Sequence, residues 1–178
     1  MAVDYPTILA GLKTFIVDGA ALTDTRREAA RTWLRAKLDG TIHIDRLPQK
    51  DDPNFNDSAL GLILRHIGGD QWNTFRNESA CAHDRVQFDI VSARANDGDQ
   101  GREAMRILLN GFCSQKTDGA TWDAFNILTC VMDSKWLSLP NAPQDASDHW
   151  KHRYVSTWVV VHSHTIPLVD GVVTLAGD

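Results

Sequence analysis

The residues whose types and spacing could do chemistry are four late histidines, His149, His152, His162 and His164. His162 and His164 would share one face of an extended strand. Neutral imidazoles on one face could hold zinc, and a zinc-activated water would then make hydrolysis the reaction. The set stops short of a tetrahedral site. No cysteine lies beside it, and the neighbouring carboxylates Asp145 and Asp148 fall in a loop-like stretch. The plainer reading is polar strand positions facing solvent or a neighbouring subunit, where protonation around pH ~6 would modulate assembly. Asp97-Gly98-Asp99-Gln100-Gly101 opens like a calcium loop, but Leu108 stands where that loop needs its bidentate glutamate, so a helix start is the better reading. Cys81 and His83 lie close together without any mark of a nucleophile and its base. Gly68-Gly69 is too short to cradle phosphate, and no Walker, dinucleotide or Gly-x-Ser-x-Gly pattern is present. The sequence thus offers no catalytic, cofactor-binding or metal-ligating set, and the chain reads as a non-enzyme. A metal-dependent hydrolase using the late histidines is the competing class.

The elements that would position these residues belong to one domain spanning 1–178, a length that can bury a full core without staples. Hydrophobic residues make up 43% and charged residues 23%, as in ordinary globular chains. No apolar run is long enough to span a membrane, and the N-terminus lacks the basic and apolar regions of a signal peptide. Cys81, Cys113 and Cys130 form no pair motif, which fits reduced thiols in an intracellular product. The net charge of −5 comes without a basic block, which argues against gripping nucleic acid through its phosphates. It is compatible with a conduit that DNA passes without sticking.

Ile8, Leu9, Leu12, Phe15 and Ile16 recur at helical spacing, with Pro6 near the start and Asp18-Gly19 as a stop. A second helix starts at the capping-box pattern Thr25-Arg26-Arg27-Glu28, with Asp24 as the alternative cap. Its apolar face is Ala29, Ala30, Trp33, Leu34 and Leu38. Its arginines read as a solvated face, or as a docking face for an acidic neighbour. Ile42 and Ile44 suggest a short strand, and Leu47–Asp57 a loop. Ala59–Ile67 reads as a buried strand stopped by Gly68-Gly69-Asp70, and Gln71–His83 as a long connection or protruding hairpin. Val86, Phe88 and Ile90 alternate with Arg85, Gln87 and Asp89, the pattern of a strand with one dry face and one wet face. Glu78, Asp84 and Asp89 are the candidates for an acidic lumen. A third helix, capped by Asp97 or Asp99, carries Ala104, Met105, Ile107, Leu108 and Phe112. Strands follow at Phe125–Val131 and Trp150–His162, and Gly171–Leu175 is a candidate short final strand. The order is helix, helix, three strands, helix, two strands. It predicts an α+β fold with a mostly antiparallel sheet of about four to five strands and helices on one face. Among six tryptophans, Trp33 and Trp158 fit core positions. Trp72, Trp122, Trp136 and Trp150, with Phe75, sit at element ends or in loops and are the candidate interface anchors.

Two segments together resemble the tail-completion family of long-tailed bacteriophages. One is Arg85-Val86-Gln87-Phe88-Asp89-Ile90 followed by Gly101–Phe112. The other is His152-Arg153-Tyr154-Val155-Ser156-Thr157-Trp158-Val159-Val160. Leu62–Gly69 is similar to the family's strand before its variable loop. The likeness covers about two thirds of the chain and rests on packing patterns rather than chemical residues. Residues 24–39 stand out as an added helix, and 165–178 as a C-terminal extension. The resemblance implies a structural virion protein without cofactor or reaction. It would form a homo-oligomeric ring, typically a hexamer, at the head-proximal end of the tail tube. There it would end tube polymerisation and join the tail to the head-side connector, while DNA passes through without sequence-specific contacts. The alternative within the virion is another neck component, such as a head-completion or stopper-like adaptor.

Overall fold

The structure, a computed structural model, describes residues 5–17, 21–39, 42–45, 59–73, 79–113, 127–139 and 150–163. The three helical patterns form α1 (Tyr5–Val17), α2 (Thr25–Leu38) and α3 (Ala95–Leu109). The strands are β1 (His43–Ile44), β2 (Leu60–Asn73), β3 (Ser79–Ser92), β4 (Phe112–Cys113), β5 (Ile127–Met132), β6 (Leu137–Leu139) and β7 (His152–Ser163). They make one sheet in the order β1-β2-β3-β7-β5-β4, with β6 also on β7. Every pairing is antiparallel except β1 with β2. The α+β class and mostly antiparallel sheet are therefore as the sequence predicts. The sheet gains strands of two or three residues, too short to show a periodicity. Among the described residues no helix is long and apolar enough to cross a membrane. The candidate strand at Gly171–Leu175 lies outside the described residues.

Strand alternation sorts the sheet into two faces. Leu60, Leu62 and Leu64 of β2, Val86, Phe88 and Ile90 of β3, and Tyr154, Trp158 and Val160 of β7 join the helices in one buried core. The Phe88 and Trp158 rings meet edge to face, their centroids 5.6 Å apart. Gly98 lets α3 approach this face. A Cβ there would lie 2.4 Å from the Tyr154 ring and 2.7 Å from Ser92 Oγ.

Of the four α2 arginines Arg26 is exposed, but the other three form neither a solvated face nor a docking face. Arg27, Arg31 and Arg35 fall at four-residue spacing and turn inward to the C-terminal carbonyls of the flanking helices. Arg27 Nη1 donates to Leu108 O at 2.6 Å, at the end of α3. Arg31 Nη1 donates to Phe15 O at 3.3 Å and Arg35 Nε to Ile16 O at 3.3 Å, at the end of α1. A helix leaves its last carbonyls without internal donors and concentrates negative charge there. The last turn of α1 has no basic residue of its own, so α2 provides the cations. At the other end of α2, Lys37 pairs at 2.9 Å with Asp97 in the first turn of α3. The two helices therefore run antiparallel, and α2 packs against both α1 and α3. It is an integral part of the helix layer.

Of the two caps expected for α2, Asp24 rather than Thr25 is the one formed, accepting from the Arg26 and Arg27 N–H groups. Glu28 reaches back instead to the Leu22 N–H at 2.9 Å and to Arg31 at 2.5 Å. Neither Asp97 nor Asp99 caps α3. Its N-cap is Arg94, without a side-chain bond, because Asp97 lies inside the first turn and pairs with Lys37.

Arg31 is fully buried, so its loss would leave Phe15 O and Glu28 short of a donor in a dry setting. Arg31→Ala is expected to cost about 2–4 kcal/mol in urea unfolding. Burial works against the ionised Glu28 carboxyl, but the Leu22 N–H and Arg31 outweigh it and hold its pKa below the ordinary 4.5. A depressed carboxyl pKa gives stability that is present above the ordinary value and lost as pH falls through the folded one. Glu28→Gln should flatten the acid limb of stability below that value, measured by urea midpoints against pH.

Candidate assembly interface

Among the described residues, those of the second face of the sheet lie outside the helix-packed core. That face carries Ile63 and Arg65 on β2, Arg85, Gln87, Asp89 and Val91 on β3, and Arg153, Val155, Thr157, Val159 and Val161 on β7. At its centre Asp89 is fully buried. The Arg65 guanidinium donates to Asp89 Oδ2, and Arg153 Nη2 donates to the same oxygen at 2.6 Å. Gln87 Nε2 takes Oδ1 at 2.7 Å. Arg65 Nε also donates to Asp45 O at 2.9 Å, which ties the end of β1 to the cluster. One carboxylate thus faces two guanidiniums, whose side chains remain 30% and 27% exposed. Arg85 adds an exposed cation on this face, opposite Val159.

Beside the arginines lies an apolar strip. Val155, Val159 and Val161 are half-buried, and Val131 and Leu137 are 46% and 61% exposed. Leu137 gets there through an irregularity. Asp133–Trp136 oppose only Ser156 and Thr157, so the chain bulges between β5 and β6. Ser134 secures the bulge. Its hydroxyl accepts from the Thr157 N–H at 2.9 Å, and its carbonyl accepts from Ser156 Oγ at 2.7 Å.

The sheet also has an open edge. β1 pairs with β2 only at Ile63 and Leu64. From His66 to Asn73 no strand pairs with the outer side of β2 among the described residues. This corrects the reading of Gly68-Gly69-Asp70 as a stop. The strand continues to Asn73, with Ile67 left over where the register shifts between His66 and Gly68. Gly68 absorbs the irregularity at φ 145°, where a side chain would be strained. Just beyond it, His66 Nε2 lies 2.8 Å from Asp84 Oδ1.

The sequence-derived anchors fare differently. Trp72 stands in β2 opposite Cys81, so that part of the expected connection is paired strand. Phe75 and Trp122 lie outside the described residues. Trp136 is half-buried, its ring 6.5 Å from that of Trp158, and packs against the core. Trp150 is only 8% exposed, so it is not a surface anchor, because it is buried just ahead of β7. The acidic lumen candidates are corrected too. Asp84 and Asp89 are both buried, the first beside His66 and the second beneath two arginines. Glu78 lies outside the described residues. Alternation of Arg85, Gln87 and Asp89 did mark the face that matters, but nothing in sequence spacing shows Arg65 and Arg153 converging on one carboxylate.

For the competing chemistry, His152 and His162 sit at opposite ends of β7 and His149 and His164 lie outside the described residues. Among the described residues no cluster of three or more metal-ligating side chains occurs. Cys130 is buried, and desolvation pushes its thiol pKa far up, which suits packing rather than nucleophilic attack. Neither a scan against protein-family models nor a search of curated proteins finds a match to this chain.

The geometry ranks the substitutions. Asp89→Asn leaves two half-exposed arginines that water can reach. Replacing Arg65 and Arg153 together with Gln leaves a buried carboxylate without its cations. The double variant is expected to lose more, by about 2 kcal/mol or above, in urea unfolding. The opposite ranking would show that the arginines, not Asp89, dominate the energetics of the cluster.

Proposed function

We propose that this chain is a structural protein of a long-tailed bacteriophage that forms a ring at the head-proximal end of the tail tube, ending tube growth and joining the tail to the head connector. The observation that carries this reading is the open β2 edge. Three strands run on together past the helix-packed core, with Trp72 opposite Cys81 and Cys81 opposite Ser163. Among the described residues, no strand pairs with the outer member of that arm along residues 66–73, about 26 Å of strand. Such an edge is a template for strand addition from a neighbour. A contact between two different patches, repeated through a rotation that closes, gives a ring. The face opposite the described helices supplies a second patch. The resemblance carried by Arg85–Ile90, Gly101–Phe112 and His152–Val160 supplies the place of that ring in the virion.

Native mass spectrometry of the free chain should give a closed oligomer, and electron microscopy should show it capping one end of purified tails. Phage lacking the protein should make tails of uncontrolled length or tails unable to join heads. A chain that stays monomeric and does not bind tail ends would overturn the reading. Normal tails beside filled heads that leak DNA would move the protein to the head side of the neck.

A further inference from the structure

We infer that the sheet face opposite the described helices is an acceptor for carboxylates of a second copy of this chain, with the Arg65 and Arg153 guanidiniums as the receiving groups. The inference rests on the ring reading and names the contact that would hold the ring.

Asp89 does more than neutralise charge here. It is buried and gives both arginines one common anchor on Oδ2, while Gln87 occupies its other oxygen. Arg65 is fixed a second time through Asp45 O. A guanidinium has five donors in a rigid fork, and these bonds use only some of them. Both side chains remain more than a quarter exposed, so further N–H groups are accessible to an incoming acceptor. Their orientation is fixed before binding, which lowers the entropy cost of docking. With two cations on one anion, and Arg85 on the same face, the surface keeps an excess of positive charge. Val131, Val155, Val159 and Leu137 provide the apolar ground beside it.

Charge complementarity identifies the occupant. The chain is acidic overall, yet its charge is unevenly divided. Segments outside the described residues hold 12 of the 23 acidic residues and only 4 of the 18 basic ones. The described residues are therefore net cationic, and the rest of the sequence is net anionic. A second copy would add carboxylates to the two arginines that Asp89 leaves only partly used, in a head-to-tail contact between unlike patches.

The test is self-association of the full chain, followed by sedimentation velocity across a series of NaCl concentrations. Arg65 and Arg153 are poor targets because their loss exposes the fold to an unpaired Asp89. Arg85→Glu and Val131→Asp alter exposed positions on the same face, and Arg26→Glu, an exposed position on α2, serves as the control. Salt should weaken the wild-type oligomer, and each of the two face variants should weaken association by roughly tenfold or more while the control does not. An oligomer indifferent to salt and to both face variants overturns this inference and leaves the ring reading standing. A wild-type chain that is monomeric throughout overturns both. Retention of double-stranded DNA that Arg85→Glu abolishes would assign the face to phosphate and overturn it as a subunit contact.

Discussion

A buried guanidinium governs how the helix layer is put together. Arg31 has no exposure, lies over the Phe15 ring at 5.6 Å, and binds both a carbonyl at the end of α1 and the Glu28 carboxylate. A charge so placed tolerates little displacement, since leaving either partner unsatisfied in a dry setting costs more than the pair contributes. Arg27 and Arg35 repeat the arrangement one turn to either side. Together they set the position of α1 and α3 relative to α2. The apolar face of the sheet then packs beneath this layer. Gly98 and Gly101 then bring α3 close to Tyr154 and Leu60, and the core closes around Phe88 and Trp158.

The two faces of the sheet use charge in opposite ways. On the helix side, charged groups end backbone segments and are consumed by them. On the other side, a buried carboxylate orients two cations that are not fully used. Both depend on strands being long enough to carry residues beyond the core. β2 and β3 each run from Leu60 or Ser92 past the last core contact, and β7 follows β3 to Ser163.

The helices and long strands were legible because their apolar periods are strong. Ile8 to Ile16 and Val86 to Ile90 lie as their spacing requires, and the alternation in His152–Val160 separates core from surface correctly. Errors arose where local signals meet tertiary partners. Gly68-Gly69 reads locally as a stop, but pairing with Arg85 and Asp84 carries the strand through. The arginines of α2 read as solvent-facing because sequence does not reveal which helix ends lie beside them. Asp89 was assigned to the wet face correctly, yet its burial depends on Arg65 and Arg153, which are remote in sequence. β4 and β6 were missed because two or three residues carry no period. Of the aromatic anchors, Trp150 turned out buried, and element ends alone could not distinguish it from an exposed ring.

The irregularity at Ile67 bears on what can pair with the edge of the arm. An extended strand with an open side invites indiscriminate stacking into fibrils. Here the open side begins where one residue too many has been inserted and where Gly68 takes a conformation closed to other residues. A flat ribbon cannot propagate across such a kink without losing register. Such an irregularity disfavours regular edge-to-edge stacking of the arm. Selectivity of this kind resides in the backbone, and no side chain needs to encode it.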